Sequence, residues 1–142
     1  MSEKKWDAAD YPIAERHPEN VRGARGKALA DLTLEAVVSG DVTMADLTTT
    51  PEALRSQAAI ARAVGREALA ENFERAAEMN RLSQDDVMRL YELLRPGRAE
   101  TKDELLAAAR DLRDNSGAPR LAQFLEEAAA VYEKRGLFHS RF

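Results

Sequence analysis

The stretch TPEALRSQAAIARAVGREALAENFERAAEM, residues 50–79, decides the fold class because every local signal in it is helical. Thr50 is a good N-cap, Pro51 stands at the first helical position, and Glu52 meets the positive end of the helix dipole. Apolar residues recur at helical spacing on both sides of Gly65, where the pattern predicts a stop or a kink. The two predicted apolar faces are Leu54, Ala58, Ala61 and Val64, then Leu69, Phe73, Ala76 and Ala77.

The same helix signals continue after this stretch. Ser83, Thr101 and Pro119 predict the starts of three further helices, and Thr101 with Glu104 forms a capping box. No segment alternates β-branched with polar residues as a strand does, so the sequence predicts an all-α fold, a small open bundle of short helices. The predicted apolar faces of these three helices are, in order, Val87, Leu90, Tyr91 and Leu94, then Leu105, Leu106, Ala109 and Leu112, then Leu121, Phe124, Leu125, Ala128, Val131 and Tyr132.

The stretch before residue 50 carries weaker signals. Asp31 or Thr33 predicts a short helix that ends at Gly40, and residues 43–47 predict one more turn. Prolines and glycines interrupt the first thirty residues. This pattern predicts either a disordered tail or an extended arm that lies on another surface. We predict residues 1–32 as an extended N-terminal arm and residues 33–142 as a helical domain. The apolar anchors of that arm are Trp6, Tyr11, Pro12 and Ile13.

Composition sets the class of protein. Hydrophobic residues make up 44% of the 142, but aromatics only 6%, so a core rich in alanine and leucine is thin and favours stabilisation by a partner. A formal net charge of −4 argues against nucleic acid as a partner. The chain has no cysteine, no run long enough for a membrane span, and no apolar stretch after Lys4 and Lys5 that would make a secretory signal. These features predict a cytoplasmic protein without contact to a membrane.

Catalytic and metal-binding groups do not form a recognisable set in this sequence. His17 and His139 lie near opposite ends of the chain, and no nucleophile, zinc or nucleotide motif occurs. Arg95 and Arg98 allow a phosphate site, but compensation of a helix dipole explains Arg95 equally well. The residues alone therefore indicate a helical domain with no catalytic, cofactor or metal site of its own, bound to another protein.

The motifs, taken in order, resemble one family. They are DYPIAERHPENV (residues 10–21), LTLEAVVSGDVTMADL (32–47), the stretch at 50–79, LYELLRPGR (90–98), ELLAAARDL (104–112) and FLEEAAAVYEKR (124–135). This series is similar to the small (gamma) subunit of the adenosylcobalamin-dependent diol and glycerol dehydratases.

The resemblance implies a protein complex. Such enzymes are lyases built as a dimer of heterotrimers from large (alpha), medium (beta) and small subunits, and they convert 1,2-diols to aldehydes by radical dehydration. Adenosylcobalamin lies between the large and medium subunits, the metal ion lies in the large subunit, and the small subunit supplies no catalytic residue. The location implied is the cytoplasm, either free or inside a bacterial microcompartment. The expected interface residues are Trp6, Tyr11, Pro12, Ile13, His17, Arg95 and Arg98.

Three alternatives stay open from the sequence. The substrate of the complex could be propane-1,2-diol, which the resemblance favours, or glycerol. The chain could instead be a free-standing helical protein-interaction module, or an enzyme in its own right. Purification with a large catalytic subunit, or activity of the isolated chain, would separate these classes.

Overall fold

Residues 4–138 are described by a computed structural model, and His139 lies outside them. The α-helices are α1 (Ile13–Arg16), α2 (Leu34–Val38), α3 (Met44–Leu47), α4 (Pro51–Ala63), α5 (Glu67–Met79), α6 (Gln84–Leu94), α7 (Lys102–Asn115) and α8 (Pro119–Lys134). Short 3-10 turns lie at Ala8–Asp10, Pro18–Asn20 and Leu29–Asp31. Over the described residues the β-structure is a single bridge between Arg22 and Ala28, so the all-α prediction is confirmed.

The helix starts follow from capping side chains. The hydroxyl of Thr50 accepts a hydrogen bond from the Ala53 amide, and Pro51 occupies the first position of α4 as predicted. Ser83 and Thr101 cap α6 and α7 in the same way. Gly65 ends α4 with a φ of +75°, which a side chain would disfavour, so residues 50–79 form two helices. Of the two candidate caps for α2, Thr33 is the one that accepts from the helix.

The chain divides into two compact units, Met1–Asn80 and Arg81–Phe142, and the predicted boundary at residue 32 lies within the first unit. In the first unit α4 packs against α5 around three small residues, Ala58, Ala61 and Ala70. Leu69 and Phe73 lie half-buried against them. Because these core residues are alanines, the two helices approach closely but bury little apolar area, as the composition predicted.

The second unit has the larger leucine core. Helices α7 and α8 pack together, and the ion pairs Lys102–Glu133 and Arg113–Glu126 join them near the two ends of α7. The Tyr132 hydroxyl donates to the Leu94 carbonyl and so ties α8 to the end of α6. The main cluster of buried residues is Leu90, Ala109, Leu112, Ala118, Leu121, Ala122 and Leu125.

Candidate interaction surface

The predicted N-terminal arm is folded into short turns, not extended. Asp7 and Asp10 cap each other across the first turn: the Ala9 amide donates to Asp7 at 2.8 Å, and the Asp7 amide donates to Asp10 at 2.9 Å. This turn contacts α4 of the same unit. Prolines and glycines usually interrupt regular structure, so the sequence pattern predicts an extended arm, while the signal for the turn is the reciprocal Asp-x-x-Asp cap.

A compact cluster of four side chains holds the arm together. His17 Nε2 lies 2.6 Å from Asp10 Oδ1, and its ring meets the Trp6 ring edge-on at a centroid distance of 5.6 Å. Lys4 Nζ lies 4.2 Å from the centre of the Trp6 ring and 3.4 Å from Asp10. His17, named above as an expected interface residue, is therefore engaged by Asp10 and Trp6 within this chain.

The carboxylate of Asp10 is held in its charged form. The hydrogen bond from the Asp7 amide is the main reason that the pKa of Asp10 lies below its ordinary value, and His17 and Lys4 lower it further against the opposing effect of desolvation. A carboxyl with a lowered pKa in the folded state stabilises that state above about pH 4, and this contribution is lost as the pH falls through the folded-state pKa.

Acidification from pH 5 to pH 2 is therefore expected to release the arm, and Trp6 is the natural reporter because it is the only tryptophan in the chain. We expect its fluorescence to shift toward that of exposed indole over this range. The Asp10→Asn variant should give the shifted spectrum already at pH 5, with a smaller change on acidification. An acid transition of unchanged size and midpoint in Asp10→Asn would show that Asp10 does not hold the arm.

The predicted apolar anchors of the arm occupy different environments. Ile13 is buried within the first unit, and Pro12 is half-buried. Trp6 is half-buried beside Arg55 and Ala59 of α4. Tyr11 is exposed and borders a groove of about 290 Å³ that Phe73 also lines. Ile13 and Trp6 thus pack within this chain, and Tyr11 is the anchor that faces outward.

The two predicted arginines lie in the second unit, at the end of α6. Arg95 Nη1 lies 3.1 Å from Glu92, and Arg98 Nε lies 3.9 Å from the other oxygen of the same carboxylate. All three side chains are exposed. The pairing with Glu92 reduces the positive charge that a phosphate would meet, so the geometry gives no support to a phosphate site here.

Asp46 is a buried carboxylate that the sequence analysis does not single out. Its side chain is fully buried, and its Oδ2 accepts from the Thr43 amide at 2.8 Å and from Arg25 at 3.2 Å. The Thr43 amide is the main cause of its lowered pKa, with Arg25 and Lys27 adding to it. Its Oδ1 is buried and has no hydrogen-bond partner among residues 4–138. The Thr-x-x-Asp capping box was the signal in the sequence, but the burial depends on the loop at residues 22–28.

Two further features of the described range concern metal-binding groups and membrane-spanning helices. Between residues 4 and 138 no three His, Asp or Glu side chains come together as a group that could hold a metal ion. Over the same residues no helix combines the length and the apolar composition needed to cross a bilayer.

Comparison with known proteins identifies the family. The model of the dehydratase small subunit family matches residues 6–139. The chain belongs to the dehydratase small subunit family. It is 51% identical over 126 residues to the propanediol dehydratase small subunit of Citrobacter freundii, an alignment that covers 89% of this chain and 73% of the relative. It is 50% identical over 127 residues, with the same coverage, to the protein of that name from Salmonella typhimurium strain LT2.

Membership in this family confirms the resemblance that the sequence motifs carried. The match begins at Trp6 and therefore includes the folded arm with its cluster of Trp6, Asp10 and His17. A small subunit is one component of an enzyme with several kinds of chain, so the partners of this chain are other subunits of a dehydratase.

Proposed function

We propose that this chain is the non-catalytic small subunit of a propanediol dehydratase, a hydro-lyase complex that converts propane-1,2-diol to propionaldehyde and water. The observation that carries the proposal is the identity of about half of all aligned residues to two proteins named propanediol dehydratase small subunit. Both relatives carry propanediol in their names, which favours that substrate over glycerol. The free-standing interaction module is less well supported, since the family match covers nearly the whole chain.

The role proposed for the chain is assembly and stabilisation. Its partners are the large and medium subunits, in a dimer of heterotrimers. Adenosylcobalamin supplies the radical that starts the dehydration, and we place it between the large and medium subunits, with the metal ion in the large subunit. His17, the one histidine within residues 4–138, has a carboxylate beside each ring nitrogen, Asp10 at 2.6 Å from Nε2 and Glu19 at 3.5 Å from Nδ1, so it does not suit a role as a cobalamin or metal ligand. The proposed location is the cytoplasm, with a bacterial microcompartment as the more specific site.

Residues 1–32 are proposed to act as an arm distinct in function from the helical domain. Tyr11 is its outward contact, while Trp6, Pro12, Ile13 and His17 hold Tyr11 in place. Tyrosine suits such a position because its ring buries apolar area while its hydroxyl keeps a polar partner. Arg95 and Arg98 are proposed as a second contact, with Glu92 fixing their direction.

Reconstitution of the enzyme tests this function. Large and medium subunits are produced with and without this chain, adenosylcobalamin is added, and aldehyde formation is measured with propane-1,2-diol and with glycerol. We expect the yield and activity of the complex to depend on the chain, kcat/KM to be higher for propane-1,2-diol, and the isolated chain to be inactive. Full yield and activity without the chain would contradict the assembly role, and a higher kcat/KM for glycerol would select the glycerol alternative.

A further inference from the structure

A small groove in the first unit lies beside Tyr11, and three parts of the chain build it together. Its volume is about 290 Å³, and we call it the Tyr11 groove. Ala8 and Tyr11 come from the arm, Gln57 comes from α4 and Phe73 from α5. Because a water molecule occupies about 30 Å³ of the liquid, this volume suits an organic ligand of roughly ten non-hydrogen atoms.

Most of the lining of the Tyr11 groove is apolar. Ile60 and Ala61 are buried, and Leu69 and Phe73 are half-buried. A ligand that fills the groove therefore removes apolar surface of Leu69 and Phe73 from water, which favours a ligand with an apolar body. The apolar lining residues are Ala8, Ile60, Ala61, Val64, Leu69 and Phe73.

Arg66 is the one charged residue among the described residues that line the groove. The carboxylates of α5 that follow it in the sequence contact a different arginine: Arg62 lies 3.1 Å from Glu67, 3.4 Å from Glu71 and 3.6 Å from Glu74. Arg66 itself is exposed and forms no ion pair within residues 4–138. Its guanidinium is therefore available to an anion in the groove.

The polar groups of the lining select the kind of anion. An arginine binds a carboxylate through two parallel hydrogen bonds, and the Gln57 amide and the Tyr11 hydroxyl add further donors at the same groove. One arginine matches a single negative charge, whereas a phosphate dianion would leave charge without a partner in a mainly apolar site. The lining therefore favours a monocarboxylate that carries an apolar chain.

We propose that the Tyr11 groove binds a short-chain aliphatic monocarboxylate. Its carboxylate pairs with Arg66, and its aliphatic chain packs against Leu69 and Phe73. All of the lining residues belong to the first unit of this chain, so the proposal does not depend on the proposed function. Arginine suits the position because its planar guanidinium matches the geometry of a carboxylate.

Titration of the isotope-labelled full-length chain, followed by the NMR signals of its backbone amides, tests the site. The probes are hexanoate, acetate, hexan-1-ol and hexylamine. We expect hexanoate to give saturable shifts at Val64, Leu69 and Phe73, and acetate to bind about tenfold more weakly because it lacks the chain. Hexan-1-ol should bind about tenfold more weakly because it lacks the charge, and protonated hexylamine should give no saturable shift. Equal Kd values for hexanoate and hexan-1-ol, or for hexanoate and acetate, would overturn the proposal, as would the absence of saturable shifts with hexanoate.

Matched variants assign the charge to Arg66. Arg66→Gln is expected to raise the Kd for hexanoate about tenfold and to leave the Kd for hexan-1-ol within about twofold. Gln57→Leu, which removes a donor from α4, should weaken hexanoate binding and leave hexan-1-ol binding unimpaired. Arg110→Gln is the control, because it removes an exposed arginine from α7 in the other unit and changes the net charge equally.

Circular dichroism and Trp6 fluorescence establish that each variant is folded. A Kd for hexanoate that neither Arg66→Gln nor Gln57→Leu changes would refute the proposed site. Equal weakening by Arg66→Gln and Arg110→Gln would reduce the effect to the net charge of the chain and would refute it as well.

Discussion

Replacing Leu125 with alanine is expected to lower the free energy of unfolding by about 3–4 kcal/mol. Leu125 is fully buried in α8 and belongs to the main cluster of the second unit, with Leu90, Leu112 and Leu121. The loss combines the apolar area of the missing side chain with the cavity that remains. Small neighbours such as Ala109 and Ala122 cannot reach across to fill that cavity.

Urea denaturation followed by far-UV circular dichroism measures this change. Val131→Ala is the matched control, because Val131 lies on the same helix but is 43% exposed. We expect it to cost less than about 1 kcal/mol. Equal unfolding midpoints for Leu125→Ala and Val131→Ala would show that the buried face of α8 has been wrongly assigned.

Replacing Gly23 with alanine is expected to destabilise the first unit by about 3 kcal/mol. A methyl group at this position would lie 2.1 Å from the backbone carbonyl oxygen of Asp46, and backbone cannot rotate away as a side chain can. The loop must therefore move. That movement pulls Arg25 away from Asp46 and breaks the hydrogen bond from the Gly23 amide to the Lys27 carbonyl at 3.1 Å.

Gly26→Ala is the control in the same loop. Gly26 has a φ of +83°, but apart from its chain neighbours no atom of residues 4–138 lies within 4 Å of the position that an added methyl group would take. Its substitution therefore carries only the conformational cost of about 1–2 kcal/mol. The loss of stability in each variant is measured by thermal unfolding, relative to the parent chain. A smaller loss of stability for Gly23→Ala than for Gly26→Ala would contradict the close approach of this loop to Asp46.

The helix boundaries could be predicted from the sequence because local chemistry sets them. Thr50, Ser83 and Thr101 cap their helices through contacts within one turn, and Pro51 and Pro119 occupy first positions. These interactions need no knowledge of the rest of the chain, so short-range patterns are enough to find them.

The buried faces were predicted less well, because burial depends on the partner helix. The apolar face predicted for α8 contains Phe124 and Val131, which are 41% and 43% exposed, and omits Ala122 and Ala129, which are buried. Apolar residues surround much of this helix, so periodicity alone does not separate the side that faces α7 from the side that faces solvent. Tyr91 of α6, also placed on a predicted stripe, is exposed for the same reason.

The family could be predicted from the sequence, but the direction in which the surface side chains face could not. The motifs led to the family, which the comparison confirms over residues 6–139. The arm was predicted to carry its apolar anchors outward, yet Ile13 packs inside the first unit and His17 engages Asp10. The exposure of Leu34 and Val38 was not predicted, although the lack of basic residues between Lys27 and Arg55 was readable in the sequence. Which residues of a short amphipathic helix face inward is set by packing that the sequence does not display.

Native mass spectrometry of the assembled enzyme tests the central claim most directly. The large subunit is captured through an affinity tag from cells that also produce the medium subunit and this chain, and the mass of the intact complex is measured. We predict a complex in which this chain is present in one copy for each large subunit, in two heterotrimers. A stable complex of large and medium subunits that excludes this chain would contradict the assignment of the chain as their small subunit.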